Sequence, residues 1–145
     1  MQKITKEEFL ALLEDGTRRF HGYKFSQLDL NDLKGLSNIR FSLCDFNLTK
    51  FDGSIMPNCK FTRCEFHYVG FDKTENSGTI FEHCYFNGAS FFDMKMLSGK
   101  FNYCESLDFE FFGGADLGLV EIKERCQTRG DFLKYIIEDK KQCKK

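Results

Sequence analysis

At 145 residues the chain suits one domain with a core of its own. A formal charge of −1 and a mean hydropathy of −0.42 argue against a membrane span and against a generally basic nucleic-acid binder. Seven Cys accompany a start, Met1-Gln2-Lys3-Ile4-Thr5-Lys6, that lacks the apolar stretch of a signal peptide, which points to reduced thiols in a cytoplasm.

The first predicted element is a helix. Thr5-Lys6-Glu7-Glu8 matches a capping box, with Thr5 as N-cap and Glu8 reaching back to it. Ile4 and Phe9 are spaced as a hydrophobic staple, Phe9, Leu12 and Leu13 give one apolar face, and Gly16 is placed to stop the helix. Residues 1–22 are read as this helix and a linker, capping the remainder of the chain.

The second predicted element is a repeat. Phe20, Phe25 and Leu30 step by five, and six residues then separate Leu30 from Leu36. From position 41 to 111 in steps of five, eleven of fifteen residues are Phe, where chance would place about two. The exceptions are Met56, Asn76, Met96 and Ser106. A period of five is neither the 3.6 of a helix nor the 2 of a strand. One large apolar side chain per five-residue segment describes a chain winding around a square prism. Four segments make a coil of about twenty residues, and successive coils pair as parallel strands about 4.8 Å apart. Folding the sequence at that length predicts four inward columns. Phe41, Phe61, Phe81 and Phe101 form one; Phe46, Phe66 and Phe86, closed by Ser106, the next. Phe51, Phe71, Phe91 and Phe111 form the third, and Met56, Asn76 and Met96 the fourth.

The units Cys44-Asp45-Phe46-Asn47-Leu48, Cys64-Glu65-Phe66-His67-Tyr68 and Ala115-Asp116-Leu117-Gly118-Leu119 resemble those of the pentapeptide-repeat family. The resemblance implies an all-β solenoid, a right-handed quadrilateral β-helix, over residues 23–118. The same folding aligns Cys44, Cys64, Cys84 and Cys104 in one column, with Cys59 equivalent on another side. Sulfurs about 4.8 Å apart in a line cannot converge on one zinc ion. Neighbours that point the same way are poorly posed for a disulfide. These Cys are read as small core residues, and no metal or cofactor is expected. Cys126 and Cys143 lie outside the repeat.

The unit Thr74-Glu75-Asn76-Ser77-Gly78 is the least regular in mid-solenoid. Its inner Asn is expected to be satisfied by neighbouring backbone, the other reading being a looped-out contact. Beyond Leu117, residues 119–145 are read as a C-terminal helix and basic tail. Asp131 caps a helix that carries Phe132, Tyr135 and Ile136 on one face. The run Lys140, Lys141, Lys144, Lys145 reads most plainly as a solvated tail.

No catalytic constellation emerges from this fold: His21, His67 and His83 have no nucleophile and orienting acid arranged with them. The chain is therefore read as a non-enzyme, and its function as a matter of its outer surface. Folding at twenty residues makes a basic ladder of Arg40, Lys60 and Lys100, interrupted by Ile80. An acidic ladder of Asp45, Glu65 and Glu105 is interrupted by Tyr85. Tyr68, His83 and Tyr103 stand beside them, and aromatics among charges favour protein contacts. Tyr68, His83, Tyr85, Tyr103, Glu65 and Glu105 are the candidate partner-binding residues. Phe92 and Phe112, stacked outward, call for a cover: the C-terminal helix with Phe132, Tyr135 and Ile136, a second copy in a homodimer, or a partner.

Two functions compete. One is a non-catalytic protein-binding solenoid of the inhibitor, immunity or anti-defence type, with a protein partner and no direct contact to nucleic acid or membrane. The other comes from the resemblance, which implies a DNA mimic that modulates DNA gyrase or another DNA-handling enzyme, giving topoisomerase protection and antibiotic resistance. Residues 36–117 hold eleven acids against seven Lys or Arg, a weak charge for a mimic of duplex DNA.

Overall fold

A computed structural model describes residues 1–106, 113–122 and 127–128, and all structural statements concern these. The chain opens with a short strand, β1 (Gln2–Lys3), and then α1 (Lys6–Glu14). The capping box forms as the sequence predicts: Glu8 N–H donates to Thr5 Oγ1 and Thr5 N–H to Glu8 Oε1, both at 3.1 Å. Phe9 drops from this helix onto the first coil, its ring centroid 5.0 Å from that of Phe20 and 5.1 Å from that of Phe25. The helix thus closes the open end of the core, which would otherwise stand in water.

The rest is a coil with four flat sides. Its first face is a six-stranded parallel sheet of β2 (Arg19–His21), β4 (Arg40–Ser42), β5 (Lys60–Thr62), β7 (Thr79–Glu82), β9 (Gly99–Asn102) and β11 (Glu121–Ile122). On the second face β3 (Tyr23–Lys24) pairs with β1, and a four-stranded sheet continues the face. That sheet contains β6 (Glu65–His67), β8 (Tyr85–Asn87), β10 (Glu105–Ser106) and β12 (Gln127–Thr128). Bridges through Lys24, Asp45 and Glu65 join the two. The third and fourth faces are held by single bridges, Asp29–Lys50–Gly70–Ser90 and Ile55–Glu75–Lys95–Asp116.

Register is twenty residues per coil through the middle, where Phe41 stands on Phe61, Phe61 on Phe81 and Phe81 on Phe101. Both end coils take one residue more: Phe20 stands on Phe41, and Phe101 on Ile122. The extra residue of the first coil is the six-residue step from Leu30 to Leu36 seen in the sequence. Rings of one column stack nearly flat, with centroids 4.9, 5.1 and 5.0 Å apart and planes within 8°. Rings of adjacent columns meet edge to face, as Phe61 meets Phe66 at 5.2 Å and 75°. Both geometries suit the aromatic quadrupole. Among the described residues thirteen Phe side chains are almost wholly buried, and each contributes about 1.5–3 kcal/mol by leaving water.

Two positions of every unit face inward, the central residue and the one two places before it. The Cys column occupies the second kind. Each thiol donates to the carbonyl of the inward Phe of the preceding side, one coil back: Cys64 Sγ to Phe41 O at 3.6 Å, Cys84 Sγ to Phe61 O and Cys104 Sγ to Phe81 O, both at 3.2 Å. Thr49, Ser54, Cys59 and Thr79 do the same for Phe25, Leu30, Leu36 and Met56. Small donors at this position satisfy main-chain oxygens that the corners would otherwise strand.

One expectation fails. The unit around Asn76 does not loop out; Asn76 N–H donates to Lys95 O at 2.7 Å and Gly78 N–H to Ser98 O at 2.9 Å. The Asn76 side chain is fully buried between Met56 and Met96, yet neither Nδ2 nor Oδ1 has a hydrogen-bond partner. Neighbouring backbone does not satisfy it, because the coil ladder already uses those groups. Asn76→Met should therefore stabilise the protein by about 1–3 kcal/mol, the cost of an unmet buried amide. A lower urea midpoint for that variant would show that the amide is satisfied in solution. Phe66→Ala should cost about 3–5 kcal/mol, and Phe92→Ala, at a position 42% exposed, far less. Equal losses in urea titrations would contradict the inward–outward register.

Candidate functional site

The corner between the first and second faces carries the candidate residues. Every corner needs one residue with a left-handed backbone, and here these are Leu43, Arg63, His83 and Tyr103, with φ of 49°, 53°, 53° and 55°. Each such non-glycine residue costs about 1–2 kcal/mol, which the surrounding ladder of hydrogen bonds and stacked rings offsets. In exchange, each side chain projects outward directly above its equivalent one coil earlier.

On that corner the His83 and Tyr103 rings stack, centroids 4.8 Å apart and planes 8° from parallel. One strand further on, Tyr85 lies between Glu65 and Glu105 in register, and its ring meets His67 at 4.9 Å. Asn87 Nδ2 reaches His67 Nδ1 at 3.3 Å. Arg63, Glu65, His83, Tyr85, Tyr103 and Glu105 surround a shallow groove of about 360 Å³ whose floor is Cys64 and Cys84. Five of the six residues singled out from the sequence thus meet in one groove. Tyr68 does not join them. It stands at the next corner, 59% exposed, and its ring lies over Gly88, where a Cβ would come within 2.7 Å of it.

Phe92 has a partial cover of its own. Its ring lies against Gly113 of the following coil, where a Cβ would sit 2.8 Å from the ring edge. Asp93 N–H donates to Gly113 O as Lys73 N–H does to Phe92 O. The position over Phe92 that the sequence reading gives to Phe112 is therefore held by Gly113, because this coil is one residue longer. Phe112, Phe132, Tyr135 and Ile136, expected to share in an apolar assembly surface, fall outside the described residues, as do Cys126, Cys143 and the C-terminal helix. The column that contains Phe92 begins as a polar ladder: Asn31 Oδ1 accepts from Asp52 N–H at 2.8 Å, and Asp52 Oδ1 from Asp72 N–H at 2.9 Å. Asp72 Oδ1 accepts in turn from Phe92 N–H at 2.9 Å and from the Ser90 hydroxyl. Burial, with like-charged Asp72 adding to it, pushes the Asp52 carboxyl up.

Sequence reasoning did not see this acceptor ladder, although Asn or Asp after the inward residue, once per coil, was its signal. Nor did it extend the basic ladder to Arg19, which pairs with Arg40 across the longer first coil.

A left-handed corner every five residues and an in-register step of twenty between equivalent Phe decide the architecture. The chain has the pentapeptide-repeat fold. Among solved structures it is similar to a trypsin-treated form of QnrB1, a plasmid-mediated fluoroquinolone resistance protein, at 21% identity with a TM-score of 0.35. That match covers 74% of this chain and 52% of the other, so the chain spans about half the length of that structure. Rfr23, a pentapeptide repeat protein from the cyanobacterium Cyanothece 51142, is similar at 13% identity and a TM-score of 0.34, covering 81% of this chain and 95% of that one. HetL from Nostoc sp. strain PCC 7120, described as involved in heterocyst differentiation regulation, is similar at 9% and 0.35, covering 81% and 94%. No family model and no curated protein sequence matches the chain. The pentapeptide-repeat assignment rests on the chain's own register. Among the described residues, no helix is long and apolar enough to cross a membrane.

The thiols on the groove floor belong to the core. Burial pushes Cys84 well above its ordinary value, and pushes Cys59 up to about 11. Raised pKa means less thiolate near neutrality, so Cys59 and Cys84 should resist iodoacetamide at pH 8 in the folded protein and react after urea is added. Peptide mapping by mass spectrometry reads this directly, and rapid native labelling of Cys84 would place it outside the core.

Proposed function

We propose that this protein is a non-catalytic binding solenoid that holds a partner protein at the corner between its first and second faces. The observation that supports the reading most is the meeting of His83, Tyr85 and Tyr103 with Glu65 and Glu105 around one groove. Aromatic rings on rigid backbone give contact area at low entropic cost, and flanking charges add specificity. The groove is open and shallow, as a surface for another protein requires. Inhibitor, immunity or anti-defence proteins act by such contacts alone, and they fit a chain whose described surface offers rows of side chains rather than a reaction chamber.

Mimicry of duplex DNA is the second reading, favoured by the axial row Asp45, Glu65 and Glu105. Tyr85 breaks that row, and the basic row lies on the adjacent face. Under this reading the partner is gyrase or another DNA-handling enzyme.

A tagged protein used to capture its partner from the source cells provides the material for the test. The variant Tyr85→Ala with Tyr103→Ala should stay folded and lose roughly 2–4 kcal/mol of affinity, as hot-spot aromatics do. Glu65→Lys with Glu105→Lys should lose less, and moderate salt should change the affinity only modestly. The opposite ranking, competition by duplex DNA, or inhibition of gyrase supercoiling would make mimicry the better account.

A further inference from the structure

The first and second faces each carry an axial row of charge, and the two rows have opposite sign. On the first face the register is Arg19, Arg40, Lys60, Ile80, Lys100, and Glu121 then ends the basic run. On the second it is Lys24, Asp45, Glu65, Tyr85, Glu105. Like charges directly opposite on neighbouring strands repel, so Arg19–Arg40–Lys60 on the first face and Asp45–Glu65 on the second are standing costs to the fold. Glu121 relieves the row at its Lys100 end, but among the described residues the Arg19–Arg40–Lys60 part has no acid beside it: the accompanying positions in those coils are His21, Ser42 and Thr62. The first acid there, Glu82, stands beside uncharged Ile80.

Both rows also break in the same coil, at Ile80 in one and Tyr85 in the other. From Arg40 and Asp45 as far as Lys100 and Glu105, the order of charge along the axis is therefore the same with the sign inverted. A counter-row for the first face must present carboxylates at the rise of a β-stack, about 4.8 Å per step. An extended acidic peptide spaces its same-side residues at about 6.8 Å, and nucleic-acid bases find no aromatic platform among the first-face positions. This chain carries a row of the required pitch itself.

We propose that the occupant of the basic first face is the acidic second face of another copy of this chain. With axes parallel and no axial shift, Arg40, Lys60 and Lys100 of one copy stand level with Asp45, Glu65 and Glu105 of the next, and Ile80 with Tyr85. Antiparallel axes without that match put Ile80 level with a carboxylate. The first coil opposes the contact, since Arg19 stands level with Lys24. Such a contact joins different faces of identical subunits and is heterologous, so association continues past a pair or closes into a ring. It also covers Glu65, Tyr85 and Glu105, so self-association and capture of the partner compete for the groove.

Sedimentation velocity on the full chain at low ionic strength tests this. The wild-type protein should associate reversibly, and the association constant should fall at least about tenfold on raising salt from about 50 to about 500 mM. Arg40→Glu with Lys60→Glu should be monomeric alone, and so should Glu65→Lys with Glu105→Lys. Mixed, the two variants should associate again, because each supplies the row the other has lost. Lys24→Glu should tighten association of the otherwise unchanged chain. The neutral pair Arg40→Gln with Lys60→Gln, checked by circular dichroism, replaces the first variant if charge reversal prevents folding. A wild-type chain that stays monomeric in low salt, single-row variants that associate like wild type, or a mixture that remains monomeric would each overturn the proposal. None of these outcomes bears on whether Tyr85 and Tyr103 bind a partner protein.

Discussion

Everything in this molecule depends on one constraint, the in-register parallel pairing of each coil with the one before it. The ladder fixes a step of twenty residues through the middle coils, and it places each side chain directly on its equivalent. A single residue choice, repeated once per coil, thereby becomes a column. Inside, columns of Phe make continuous stacks. Outside, the same rule turns scattered Lys, Glu and Tyr into rows, and a row has properties that no isolated side chain has.

The inside was legible in the sequence because its period is long, regular and carried by the largest apolar residue. Even the departure, the six-residue step from Leu30 to Leu36, marked where the first coil lengthens. The corners were legible too, in a way easily missed. Positions such as Leu43, Arg63, Tyr68, Lys73, His83 and Tyr103 adopt a left-handed backbone, and none is β-branched, the class that tolerates it least. By contrast β1, only Gln2–Lys3, has no periodic signal of its own, and its pairing with Tyr23–Lys24 is seen only in the structure. The Asn76 amide was misjudged for a related reason. Sequence shows a polar residue at an inward position, but only the completed ladder shows that no donor or acceptor is left for it.

The candidate groove shows the same division. Sequence folding put Glu65, Tyr85 and Glu105 in one row and His83 and Tyr103 in another, and the structure brings these rows together at one corner. Tyr68 was grouped with them because it stands two residues after an inward Phe, as His83 does. It belongs to a different corner, and its ring is committed to Gly88. Which corner a residue occupies is set by its place modulo twenty, not modulo five, and the shorter period dominates the eye.

The small donors of the core add a direction to this stack. Cys84 and Cys104, like Thr49, Ser54, Cys59 and Thr79, reach backward to carbonyls of the previous coil. A coil with no successor therefore leaves bare oxygen acceptors around its rim, while one with no predecessor leaves hydroxyl and thiol hydrogens unclaimed. The two ends of the rod are chemically unlike, much as the two ends of a helix are. The first coil carries Tyr23, Leu28 and Leu33 where later coils carry these donors, so an apolar plug such as Phe9 suffices there; the opposite end calls for a cover that brings hydrogen-bond donors with it.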